Sequence, residues 1–264
     1  FNLMTFVASV SSSKGGSGKS TTSINLGVAL SSLGKDVTVV DANLSTPYLS
    51  MYLGAPHAPV TLHHVLSGTA HMKEAIYEHS SGVNIVPGSI QSHKGFENLN
   101  LENLQDHIGH LNSDIVILDG APGLDREAKS SMKISNEVLV VTNPELPSVA
   151  HSLKTIRMAE GMGKKVSGVV LTRAGHETDI HKDNVETILE HSVIGVIPED
   201  ENMKRAVMRR EPVSSIYPNS PSAVAYHQLA CYLTGKKHLV DMDQYSDGQS
   251  TGVKLMRWAL GLRE

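Results

Sequence analysis

One short run dictates most of what this chain can fold into: Lys14-Gly15-Gly16-Ser17-Gly18-Lys19-Ser20-Thr21. It directly follows the apolar stretch Met4 to Val10 and precedes the helix-like stretch Ile24 to Leu33. A glycine-rich turn between a strand and a helix N-terminus aims backbone N–H groups at one point, where the helix dipole also favours negative charge. The expectation is a phosphate cradle. Lys19 is placed for β/γ-phosphates and the Ser20 hydroxyl for Mg²⁺. A loop of this kind needs only one lysine, so Lys14 is a surplus that calls for its own explanation. Ser13 stands where the common pattern has glycine.

The rest of the chain alternates apolar runs with helix-like stretches. The runs Val37–Val40, Val83–Val86, Ile115–Leu118, Val138–Val141, Val166–Leu171 and Val193–Ile197 are rich in β-branched residues, as expected of parallel strands covered on both faces. Helix-like stretches lie between or after them, at Leu146–Gly161, Lys182–His191, Asp200–Arg210 and Ser222–Leu233. This order predicts an α/β fold, a doubly wound and mostly parallel sheet with right-handed crossovers and helices on both faces. Ligands then bind at the carboxyl ends of the strands. The 264 residues suit one large domain. Residues 1–237 are expected to form it, residues 238–251 read as a polar linker, and residues 252–264 as an amphipathic helix.

Two carboxylates stand where such strands end. Asp41 closes the Val37–Val40 run; beside a phosphate loop it is suited to orient a water, or a water bound to Mg²⁺. Asp119 closes the Ile115–Leu118 run in the manner of a Walker B strand and would hold the Mg²⁺ shell through water.

The pattern Lys-Gly-Gly-x-Gly-Lys-Ser/Thr resembles the deviant Walker A motif of the MinD/ParA family of ATPases, and the chain matches it at every fixed position. The resemblance covers roughly residues 3 to 235. It implies ATP and Mg²⁺ as ligands and a slow, partner-stimulated ATP hydrolase. It also implies a nucleotide-sandwich homodimer in which Lys14 reaches the nucleotide of the other subunit. The run Asp41 to Leu49 resembles switch I, where the usual Asp-x-Asp is broken by Asn43; an Asn can hydrogen-bond a water but cannot act as a base. Gly120-Ala121-Pro122-Gly123 resembles switch II, where a backbone N–H near the glycine senses the γ-phosphate. Asn143, Arg173, Pro198, Glu199 and Asp200 fall in segments that resemble those around the adenine. The implied catalytic set is Lys14, Lys19 and Asp41, with Ser20 and Asp119 on the metal.

The C-terminal run Gly252 to Glu264 places Lys254, Arg257 and Gly261 on one narrow helical face, with Trp258 and aliphatic residues over the rest. A short helix of this kind suits a lipid interface and resembles the helix that ends MinD proteins. The expected partners are therefore an anionic membrane surface met through Val253–Leu262 and an activator or cargo protein. The N-terminal apolar run is too short to span or target a membrane, so the expected place is the cytoplasm, peripheral on the inner face of the cell membrane.

Composition weighs on the alternatives. A ParA-like ATPase that binds DNA nonspecifically needs a basic dimer surface. The net charge of −4 disfavours that, although Arg205, Arg209 and Arg210 fall in one helical stretch. A single cysteine, Cys231, rules out a disulfide framework and a Cys-ligated iron–sulfur cluster within one chain; it reads as a small buried hydrophobe. A small-molecule kinase or synthetase on the same loop would have no use for Lys14 or the tail. Of the fourteen histidines, His63, His64, His71 and His79 cluster in one region, and His176 and His181 in another. None has trustworthy metal-ligand spacing, and solvated or capping roles are expected.

Overall fold

The computed structural model describes residues 5–52, 54, 58–91 and 94–236. The expected linker and tail helix lie outside the described residues. The strands β1 (Phe6–Ser11), β2 (Val37–Ala42), β3 (Tyr77–Glu78), β4 (Asn84–Val86), β5 (Ile115–Gly120), β6 (Glu137–Thr142), β7 (Lys165–Ala174) and β8 (Val193–Pro198) form one sheet in the order β3-β4-β2-β5-β1-β6-β7-β8. Every neighbouring pair is parallel except β3 with β4. All the apolar runs read from the sequence are strands. The two-residue antiparallel edge β3 escapes notice because it is too short to show a period.

The helices are α1 (Lys19–Ser32), α2 (Leu49–Tyr52), α3 (Leu62–Leu66), α4 (Arg126–Ile134), α5 (Leu146–Gly161), α6 (Lys182–Leu189), α7 (Glu201–Arg209), α8 (Val213–Ile216) and α9 (Pro221–Thr234). Their ends follow local chemistry. In α9, the Ser220 side chain accepts from the Ala223 N–H, Pro221 opens the first turn, and Gly235 closes it in the left-handed region at φ 65°.

Alternation along the strands splits the core between two faces. Val10, Val39 and Ile117 meet Ile24 and Leu26 of α1 and Tyr226 and Leu229 of α9. On the opposite face, Val7, Val40, Val116 and Leu118 pack with Leu62 of α3 and Leu104, while Val138, Val140 and Val169 pack with Ile156 of α5 and Leu189 of α6. Each fully buried aliphatic side chain contributes about 1.5–3 kcal/mol. Residues on both faces of β1, β2 and β5 are thus fixed by packing, and the carboxyl ends of these three strands lie side by side. Cys231 is buried, as its reading as a hydrophobe requires.

Candidate functional site

The loop after β1 is built by backbone geometry. Gly16 and Gly18 sit at φ 79° and 84°, and Gly18 caps α1 without a side-chain hydrogen bond. At Gly18 a Cβ would also lie 3.2 Å from Thr172 Oγ1. That hydroxyl donates to the Ser17 carbonyl at 2.6 Å and so clamps the loop to β7. The Ser12 hydroxyl donates to the Lys14 carbonyl from the other side. Lys19 then opens α1, with the helix N-terminus beneath the loop.

The Lys19 ammonium donates to Asp119 Oδ1 at 2.8 Å, and both groups are almost fully buried. The Ser23 hydroxyl donates to the same oxygen at 3.0 Å. Asp119 lies directly opposite Asp41 in the β2–β5 register. Burial first, and the Asp119 charge second, push the Asp41 carboxyl up to about 7. Its Oδ2 accepts the N–H groups of Tyr48 and Leu49 at 2.9 and 3.0 Å, while Oδ1 is buried without a partner.

Two adjoining clefts open over this arrangement. One, of about 410 Å³, is bounded by Ser12, Lys14, Gly15, Gly16, Lys19, Ser20, Asn43, Tyr48 and Pro122. The other, of about 480 Å³, is bounded by Thr172, Ile197, Pro198, Glu199, Asp200 and Lys204. Gly18, Thr21, Arg173 and Val207 border both, so the two form one trough running from the loop to the end of β8. Lys14 is exposed at its rim. Arg173 holds a left-handed φ of 54°, a conformation that costs a non-glycine residue about 1 kcal/mol or more.

The structure gathers most of the expected site residues along this trough and sets several beside it. Asn43 borders the trough, held in a local turn: its Nδ2 donates to the Thr46 carbonyl and hydroxyl, and its Oδ1 accepts from the Thr46 N–H. Asp41 lies beneath the cleft lining and caps the start of α2. The Gly123 N–H donates to the Ser12 carbonyl at 2.9 Å, a bond it would have to give up to reach a phosphate. Asn143 turns away and donates to the Thr172 carbonyl and hydroxyl, so it braces the clamp on the loop. Asp200 caps α7 through the Asn202 N–H and accepts from the Ser222 N–H and hydroxyl. Burial pushes its carboxyl up, but these bonds outweigh that and hold it below its ordinary value.

Three features of the site have no signal in the sequence. Glu127 of α4 accepts from the Ser45 N–H and the Ser45 hydroxyl, tying the loop after β2 to the segment after β5. A Cβ at Gly88 would run into Pro47. His64 and His79 cap and brace as expected, bonded to Thr61 and Ser81. His63 does not fit the expectation of a solvated or capping ring. It is buried, 5% exposed, and bridges two loops through backbone groups. Among the described residues no cluster of three His, Cys, Asp or Glu could hold a metal. Mg²⁺ would therefore rely on the hydroxyl–carboxylate pair Ser20 and Asp119 with phosphate oxygens and water, a donor set of the hard kind Mg²⁺ takes.

A strand, a glycine-rich loop and a helix N-terminus, with a buried lysine facing a strand-end aspartate, define a P-loop nucleotide-binding protein. The CobQ/CobB/MinD/ParA nucleotide binding domain family matches residues 8–213, and the chain belongs to it. The chain is 36% identical over 239 residues to an ATP-binding protein of Methanocaldococcus jannaschii, covering 89% of this chain and 90% of that one. The cell division ATPase MinD of Pyrococcus furiosus superposes with a TM-score of 0.83 at 33% identity, over 88% of this chain and 99% of its own. The septum site-determining protein MinD of Pyrococcus horikoshii, solved with Mg-ADP, gives 0.82 at 32% identity, over 87% and 96%. The chain is a MinD/ParA-family ATPase similar to MinD.

Proposed function

We propose that the protein binds Mg–ATP in the trough, dimerises around it, hydrolyses it slowly and uses the cycle to bind and leave an anionic membrane surface, positioning division or other cellular machinery. The observation that carries this is Lys14, a second loop lysine, exposed at the cleft rim beside a buried Lys19 that already has a carboxylate partner. One loop lysine is enough to bind nucleotide; an exposed second one suits a phosphate held by another copy of the chain. Tyr48, half-exposed on the wall of the same cleft, and Met51, half-exposed in α2, offer surface for such a contact.

In this reading, the backbone N–H groups of Gly15 to Ser20 hold the phosphates. Lys19 exchanges Asp119 for the β/γ-phosphates. Bound Mg²⁺ supplies neutralisation of charge spread over the phosphoryl oxygens. Ser20 and Asp119 would hold it. Lys14 adds positive charge from the opposite subunit during attack by water. Asn43, the polar side chain of the switch loop at the cleft, can position that water but cannot remove its proton, which fits slow, partner-stimulated turnover. Asp41 acts beneath it by holding Tyr48 and Leu49 in place. Arg173, Pro198, Glu199 and Asp200 form the far end of the trough, which suits the base.

The DNA-binding reading draws on the arginines of α7. Arg209 stacks over the Tyr217 ring at 5.7 Å, the Arg210 side chain packs against Gly54, and neighbouring Lys204 pairs with Glu199 and Glu201. Arg205 is exposed on the same helix, so these engagements weaken the DNA-binding reading at Arg209 and Arg210 alone.

The lipid half is tested by sedimenting the full chain, and a chain ending at Asp247, with anionic liposomes in ATP and in ADP. Pelleting in ATP that is lost on truncation is expected, because two short helices on one dimer gain about 10²–10⁴-fold in avidity. Equal pelleting in both nucleotides would contradict it.

A further inference from the structure

His63 stands at the centre of a contact the nucleotide chemistry does not use. It lies on α3, buried between the loop after β2, the segment after β4 and the Phe96 ring, whose centroid is 5.2 Å away. Its Nδ1 accepts the Ser89 N–H at 3.0 Å. Its Nε2 lies 3.0 Å from the Leu44 carbonyl oxygen. A backbone amide can only donate and a carbonyl can only accept, so these two partners select one species: the neutral imidazole with its proton on Nε2. A proton added at Nδ1 would point at the Ser89 N–H and abolish that bond. Leu44 directly follows Asn43, the switch-loop residue at the cleft.

We propose that His63 is a positioning residue: in its neutral form it ties the Asn43–Leu49 loop to Ser89, and on taking up a proton it lets Ser89 go while keeping its bond to Leu44. The effect on turnover rests on the ATPase reading above; the latch itself does not. Burial lowers the affinity of the ring for a proton, and neighbouring His64 works in the same direction, whereas the Leu44 carbonyl and the Glu127 carboxylate of α4 favour the proton. The net direction is down, so the latch is closed at neutral pH and opens on the acid side of the ordinary imidazole range, about pH 6.5. Glu127 also holds Ser45, so the carboxylate that pulls a proton towards His63 anchors the same loop.

The test is amide hydrogen exchange of residues 88–91 and 44–46 in the nucleotide-free full chain, at about pH 7.5 and about 5.5 and corrected for intrinsic rates, for wild type and His63→Gln. Asp41 titrates in the same range in both proteins, so the difference between them isolates His63. Gln can still donate towards Leu44 but cannot titrate. Wild type is expected to lose about five- to tenfold in protection at residues 88–91 on acidification, the scale of one hydrogen bond. In His63→Gln protection there is low at both pH values and flat between them. Nitrogen chemical shifts of His63 should report the Nε2-protonated tautomer at neutral pH. The same pH dependence in both proteins, or a proton on Nδ1, would overturn the latch. Mg–ATP turnover should fall more steeply through the same acid step in wild type than in His63→Gln, in which Asp41 still titrates. A wild-type chain with no turnover at all would overturn the ATPase reading while leaving the exchange result to decide the latch.

Discussion

The loops after β1 and β2 meet at the same cleft and are held in opposite ways. The first is fixed by its own backbone: two glycines in the left-handed region, a helix start, and a clamp from Thr172. The second contains no glycine from Asn43 to Tyr52 and is fixed from outside. Asp41 holds Tyr48 and Leu49, Glu127 holds Ser45, His63 holds Leu44, and Pro47 rests on Gly88. A loop encoded mostly in its own backbone depends on few neighbours, here Thr172. One held by four separate neighbours can be released by any of them. The difference suits a rigid phosphate cradle beside a loop that responds to what the cradle holds.

The largest effect should come from breaking the first region. Lys19→Ala leaves Asp119 buried without its ammonium and next to Asp41; the expected loss is about 3–5 kcal/mol in urea unfolding, together with loss of nucleotide binding. A loss confined to nucleotide binding would mean that the ion pair contributes little to the fold. For the second region, Gly88→Ala should force Pro47 outward and cost about 1–3 kcal/mol, with faster proteolysis within residues 43–52. Unchanged proteolysis would show that the loop does not depend on this contact.

The smallest effect of the three concerns Asp41, and it has a sign. The folded carboxyl, raised to about 7, keeps a proton that the unfolded chain has already lost above its ordinary 3.8. Between these values the folded state binds more protons, so the stability contributed by Asp41 falls as pH rises through the window and levels off above about 7. Asp41→Asn keeps an acceptor for Tyr48 and Leu49 and presents an amide to Asp119. It should abolish this decline and be about 1–2 kcal/mol more stable relative to wild type at pH 8 than at pH 5. Parallel stability profiles would place the proton elsewhere.

The same contrast explains what could be read from the chain. The loop after β1, the six longer parallel strands after it and α5 are local: glycine spacing, β-branched runs and helical period are visible within ten or so residues. Asp41 and Asp119 are visible as strand-end carboxylates, and a capping role for Asp41 is open from the sequence, but its partners Tyr48 and Leu49 are not legible, because they depend on how the segment 43–49 folds back. Nothing in Thr61-Leu62-His63-His64 distinguishes the buried His63 from the capping His64; adjacent helical positions face different surroundings, and only the fold decides which one is covered. Asn143, expected beside the adenine, borders neither cleft and instead braces Thr172.

Molar mass by light scattering tests most directly whether Lys14 acts across two copies of the chain. Wild type should double its mass with Mg–ATP and stay single with Mg–ADP, whereas Lys14→Ala should stay single with both while still binding ATP. A Lys14→Ala chain that dimerises in ATP as wild type does, or a wild-type chain that never does, would contradict it.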